Sequence, residues 1–132
     1  MVITNTKPYY VFSLEDLTDI EVACHDLLTL ESKLLAAGFK KVGREWRYSK
    51  PVIFYGKTPM VYISYSCSID DEEPLFTVKV VSSNGDMESW YYNRTYGRND
   101  MIQKVDTQLN DQLNRFIARG LIKAPRKQSI MK

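Results

Sequence analysis

The chain reads as an α+β domain: a two-layer sandwich in which an antiparallel sheet of four to five strands carries two helices, at about 19–37 and 100–119, on one face. Three observations predict it. Apolar residues recur at helical spacing near both ends of the sequence, alternating β-prone runs lie between them, and Asn84-Gly85 separates two of those runs. Each helix has a single apolar stripe and so needs one partner surface. Laying both on one side of a twisted sheet meets that need and leaves the other side open unless another chain covers it.

Residues 1–12 read as an extended lead-in, with Tyr9, Tyr10, Val11 and Phe12 able to form an edge strand. Thr18-Asp19-Ile20-Glu21 matches a capping box and predicts a helix start. Ile20, Ala23, Cys24, Leu27, Leu30 and Leu34 then recur at helical spacing, with Leu28 and Leu35 widening the stripe. Gly38 suits the left-handed position that ends a helix, and Phe39 the apolar contact behind it.

Val42, Trp46 and Tyr48 share one strand parity and Lys41, Glu45 and Arg47 the other. Pro51 and Pro59 bracket Val52-Ile53-Phe54-Tyr55, a short edge strand or a packed loop, since proline donates nothing to a ladder. Met60 to Cys67 is a strand with Val61, Ile63, Tyr65 and Cys67 on one side, and Asp70-Asp71-Glu72-Glu73-Pro74 a polar turn. The second helix opens at Asn99 or Asp100 and stops at Gly120, burying Ile102, Val105, Leu109, Leu113, Phe116 and Ile117. This gives one domain over 1–122 and a basic, mobile tail over 123–132.

With 132 residues the chain can bury a core of its own, and its 44% hydrophobic and 26% charged residues are ordinary for a globular protein. No apolar run approaches the roughly 18 residues of a membrane helix, and Met1 to Lys7 lacks the pattern of a secretory signal. Both point to a cytoplasmic protein without a membrane partner. There Cys24 and Cys67 stay reduced and the sequon Asn93-Arg94-Thr95 is inert. The net charge of +2 does not imply nucleic acid. The charge is uneven, however. Glu15, Asp16, Asp19, Glu21, Asp26 and Glu31 make the first helical region acidic, whereas 112–132 carries Arg115, Arg119, Lys123, Arg126, Lys127 and Lys132 and no acid. The two regions either lie close and partly neutralise, or the tail (Lys123, Arg126, Lys127) is a docking element.

The strongest local signal is Asn84-Gly85. Both residues tolerate positive φ, so a two-residue hairpin is expected between Phe76–Ser82 and Met87–Tyr92. In that register Val78 faces Tyr91 and Val80 faces Ser89 toward the helices. Thr77 then lies beside Tyr92, Lys79 beside Trp90, and Leu75 near Arg94 on the open face. Lys79, Trp90, Tyr92, Arg94, Tyr96 and Arg98 become one aromatic and basic surface. Trp, Tyr and Arg are the usual anchors of protein interfaces, and the same set can stack and clamp single-stranded nucleic acid. The plainer alternative packs Trp90 and Tyr92 beneath the N-terminal segment or the 49–58 loop.

Nothing demands chemistry. His25 is the single histidine, and with two distant cysteines it fits no zinc pattern. The run 70–73 lacks the alternate spacing of a calcium loop. Gly56-Lys57-Thr58 lacks the earlier glycine of a phosphate loop. No metal, cofactor or catalytic residue is therefore assigned, and a hydrolase with paired carboxylates is the least favoured reading. In element order the chain resembles a double-stranded-RNA-binding domain. Asn99-Asp100-Met101-Ile102-Gln103-Lys104 is not the lysine cluster that would open the last helix of that family, and the extra hairpin strand departs from it, so no family is assigned. The expectation is a small non-enzymatic module that docks a protein partner or a copy of itself, with single-stranded nucleic acid as the alternative ligand.

Overall fold

The computed structural model describes residues 8–69, 73–93, 99–125 and 130–131. The site residues Arg94, Tyr96, Arg98, Arg126 and Lys127 lie outside these, as do residues 70–72 of the acidic run. In chain order the elements are β1 (Tyr9–Tyr10), α1 (Leu14–Leu17), α2 (Leu27–Ala36), β2 (Lys40–Val42), β3 (Glu45–Tyr55), β4 (Thr58–Ser68), β5 (Leu75–Ser82), α3 (Ser89–Tyr92), α4 (Asp100–Ala118) and β6 (Ile130–Met131). The fold is α+β, with an open antiparallel sheet ordered β2-β3-β4-β5 and a separate β1-β6 pair.

The first predicted helix is split. Ser13, not Thr18, forms the capping box: its hydroxyl accepts from the Asp16 amide (3.1 Å) and the Asp16 carboxylate accepts from the Ser13 amide (2.9 Å). Asp26 then caps α2, accepting from the Thr29 amide at 3.1 Å. The intervening chain is extended because a distant segment takes its backbone groups. The Ala23 amide donates to the Leu121 carbonyl (2.8 Å), the Lys123 amide donates to the Glu21 carbonyl (2.9 Å), and Val22 bridges Ile122. A helix through 19–26 would forfeit those bonds and the burial of Ile20 and Val22. His25 is consequently an exposed residue ahead of α2. Lys123 is no part of a free tail, since its ammonium also lies 3.3 Å from the Glu21 carboxylate. The acidic and basic regions thus meet at this point. Leu28 and Leu35, expected to widen the stripe, remain exposed.

Both helix ends follow from glycine. Gly38 (φ +101°) and Gly120 (φ +75°) take the left-handed conformation. Behind them the Phe39 amide reaches the Leu34 carbonyl (3.0 Å) and the Leu121 amide the Phe116 carbonyl (2.9 Å), the double closure of a Schellman motif. Phe39 and Leu121 are buried in the core.

Pro51 and Pro59 do not bound a separate element. They sit inside β3 and β4, two long strands joined by Gly56-Lys57. Gly56 alone has positive φ (+61°), and Gly43 (+62°) plays the same part in the β2–β3 turn, the pattern of type II′ hairpins. β2 pairs only with residues 45–47, so the outer edge of β3 beyond them has no partner strand among the described residues. Proline is tolerated on such an edge and discourages further pairing there.

The core lies between the sheet and the helices. Val61, Ile63, Tyr65 and Cys67 face it from β4, and Phe76, Val78 and Val80 from β5. Leu30 and Leu34 of α2 and Val105, Leu109, Leu113 and Phe116 of α4 enter the same cluster. The Phe116 ring is its centre, with ring centroids 5.4 Å from Phe39, 6.2 Å from Tyr48, 5.3 Å from Tyr65 and 5.9 Å from Phe76. Burial pushes the Cys67 thiol up to about 11, so it stays protonated at neutral pH. No helix among the described residues is long and apolar enough to cross a membrane.

Removing the hub is expected to be costly. Phe116→Ala should destabilise by about 3–5 kcal/mol in denaturant titration, the usual cost of emptying a buried phenylalanine site. A loss under about 1 kcal/mol would contradict the central role of the ring. Tyr65 is fully buried and its hydroxyl has no hydrogen-bond partner among the described residues. Tyr65→Phe should therefore leave stability unchanged or raise it by about 1 kcal/mol.

Candidate functional site

The turn at Asn84-Gly85 decides where the predicted surface residues go. Gly85 adopts positive φ (+88°), but Asn84 does not. The Gly85 amide donates to the Ser82 carbonyl (2.9 Å) and the Ser82 amide to the Asp86 carbonyl (2.8 Å). This is a three-residue loop, a turn over Ser83 and Asn84 followed by a left-handed glycine. Val81 consequently pairs with Met87, and the Glu88 amide donates to the Val80 carbonyl (3.0 Å). The expected register is displaced by one residue. The return strand ends at Glu88, and Ser89–Tyr92 is a helical turn. Trp90 therefore has no cross-strand position opposite Lys79, and Tyr92 none opposite Thr77.

Trp90 and Tyr92 are half-buried and pack against the core, with Tyr91 buried between them in sequence. The Trp90 and Tyr91 rings meet edge to face at 6.3 Å, those of Tyr91 and Tyr92 at 5.3 Å. The Tyr91 hydroxyl donates to Asp106 on α4 (2.8 Å). The Tyr92 hydroxyl accepts from the Val80 amide at 2.8 Å and so closes an outward-pointing donor of the edge strand β5. Burial raises its pKa, and the Val80 bond opposes that rise. Both rings thus hold α3 onto the domain instead of lining the open face.

What the open face does present follows from the register. Its cross-strand rows are Glu45–Ser68–Leu75, Arg47–Ser66–Thr77, Ser49–Ser64–Lys79 and Pro51–Tyr62–Val81. Hydroxyl side chains fill the middle. The last row is apolar and continues through the exposed Met87 opposite Val81. The Arg47 guanidinium is held by Glu45 at 2.6 Å. Lys79 is exposed beside the apolar row and has no ion pair or side-chain hydrogen bond among the described residues. Of the three predicted surface residues that are described, Lys79, Trp90 and Tyr92, Lys79 alone is on this face.

No family model matches the chain, and no curated protein or solved structure matches it either.

A second arrangement was missed in the sequence. α4 carries Asn110 and Asn114 one turn apart, and both read the backbone of the N-terminal segment. Asn114 accepts from the Tyr10 amide (2.9 Å) and donates to the Tyr10 carbonyl (2.8 Å), and Asn110 accepts from the Phe12 amide (2.8 Å). The Tyr9 hydroxyl donates to the Asp111 carboxylate at 2.5 Å. Two asparagines at helical spacing beside an apolar stripe are the only sequence signal for this clasp. Their partner is about 100 residues away, which no local pattern reveals.

Burial pushes the Tyr9 phenol up to about 12, and the hydrogen bond and charge of Asp111 add to the effect. An unfolded tyrosine ionises near 10. The stability this phenol contributes is therefore fully present below pH about 10 and is lost as pH rises through about 12. Ultraviolet titration of the folded protein should show a late phenolate step that Tyr9→Phe removes. If Tyr9→Phe instead removes a step near pH 10, the clasp does not form.

Proposed function

We propose that the protein is a small non-catalytic binding module that docks a partner protein on the open face of its sheet. The observation carrying this reading is the apolar row Pro51–Tyr62–Val81–Met87 with the exposed ammonium of Lys79 beside it, which has no ion pair among the described residues. α2 and α4 enter the core on the other face, whereas in this row Met87 is exposed and Pro51, Tyr62 and Val81 are half-buried. The partner it fits presents an apolar ridge flanked by a carboxylate, so that Lys79 gains an ion pair as the row is buried. Neighbouring serines and threonine are small enough to let a second surface approach closely. The same reading places the module in the cytoplasm, where the free Cys24 and Cys67 stay reduced. Single-stranded nucleic acid has less support, because Trp90 and Tyr92, which would have stacked bases, are packed on the core.

The test compares the wild-type chain with Val81→Asp and Met87→Asp as baits in nuclease-treated host lysate. The expected result is one partner retained at raised salt by the wild type and bound about thirtyfold or more weakly by each variant, the scale of a hot-spot loss. Met87→Asp should keep the wild-type melting temperature, since Met87 is exposed; Val81 is half-buried, so Val81→Asp is compared at a temperature where it is folded. Retention that nuclease abolishes, or that both substitutions leave intact, would overturn the assignment. Loss with salt alone would point to phosphate contacts instead.

A further inference from the structure

We propose that the cleft between β1 and the C-terminal half of α4 binds a small amphipathic carboxylate, a monoanion with a compact apolar body. The cleft has a volume of about 520 Å³, within the range of small-ligand sites. Pro8 and the Tyr9 and Tyr10 side chains line it from the N-terminal segment, and Ile117 and Ala118 line it from the helix. These surfaces supply the apolar walls that a hydrocarbon or aromatic body would fill.

The polar groups of the cleft are almost all committed. The Asp111 carboxylate accepts from the Tyr9 hydroxyl. The Asn114 amide is spent on both backbone groups of Tyr10, and also donates to the Asn110 carbonyl at 2.7 Å. The Arg115 guanidinium, which also lines the cleft, has no hydrogen bond or ion pair from its side chain among the described residues, and it is the one cationic group in the lining. An uncommitted planar fork beside apolar walls matches a carboxylate, which can take two parallel N–H···O bonds. The cleft runs along the last turns of α4, where the helix dipole disfavours added negative charge. The Asp111 carboxylate in the same lining adds to that penalty, so the cleft selects a singly charged anion seated on the guanidinium over a phosphate dianion. This site is independent of the docking face: it lies on α4, and its contacts involve none of the residues of the apolar sheet row.

The experiment titrates octanoate, 1-octanol and inorganic phosphate into ¹⁵N-labelled protein, following the Asn114 side-chain amide and the Ala118 backbone amide. Octanoate should shift both signals saturably at one equivalent. Octanol, which lacks the charge, should bind at least about tenfold more weakly, as the loss of a charge-assisted pair requires. Arg115→Gln should weaken octanoate by a similar factor, and Ala118→Phe, which fills the cleft, should abolish the shifts. Both positions are exposed, so neither change touches the core. The wild-type comparison of octanoate with octanol stands without either variant. Equal affinity for the two alcohol- and acid-headed probes, an unchanged octanoate affinity in Arg115→Gln, or the same shifts with phosphate would overturn the proposal.

Discussion

One ring holds the layers together. Phe116 projects from α4 into a nest of four other rings, one each on β3, β4 and β5 and one just past the end of α2. Tilted and edge-to-face pairs at these separations add attraction beyond area burial. They also fix the azimuth of α4, because the helix cannot rotate without breaking several pairs at once. With that azimuth set, Asn110 and Asn114 fall on the flank that meets the N-terminal segment. Asp106 falls where the Tyr91 hydroxyl can reach it. The clasp on residues 8–12 and the anchoring of α3 both follow from the rotational setting that Phe116 imposes.

The one-sidedness of the sheet has the same origin. α4 and α2 both contribute to the core on the face of Ile63, Tyr65 and Val80, so the alternate residues of the same strands are left on the other side. That side is not a hydrophobic surface in waiting. Serines and a threonine occupy its middle, and the row ending at Met87 is apolar. A narrow apolar strip set in hydroxyls suits a bounded contact more than permanent burial of the whole sheet.

Much of this was legible in the sequence, and what escaped had physical reasons. The alternation in 61–67 and 76–80 and the stripe of α4 sort residues by burial almost without exception, because half-buried elements must keep their period. Gly38 and Gly120 mark their helix ends because no other residue takes those φ values cheaply. The start of α2 was misplaced because Ser13 and Asp26 out-competed Thr18, and long-range bonds to 121–123 decided that contest. The hairpins at Gly43 and Gly56 went unseen, although glycine followed by any residue is a valid two-residue turn. The dipeptide Asn84-Gly85 fits a two-residue turn and equally the last two positions of a three-residue loop. Asn84 stayed at negative φ, one residue was added to the loop, and Trp90 and Tyr92 moved from the open face to the core side. The conformation of Asn84 and the helical turn over Ser89–Tyr92 together account for the displaced positions of Trp90 and Tyr92.

The most direct test of this architecture is the set of through-space NMR contacts made by the Phe116 ring protons. The arrangement described requires simultaneous contacts to the rings of Phe39, Tyr48, Tyr65 and Phe76. Contacts confined to α2 and α4, with none to Tyr65 on β4 or Phe76 on β5, would mean that α4 does not lie on this face of the sheet. The clasp, the anchored α3 turn and the uncovered far face would then lose their common cause.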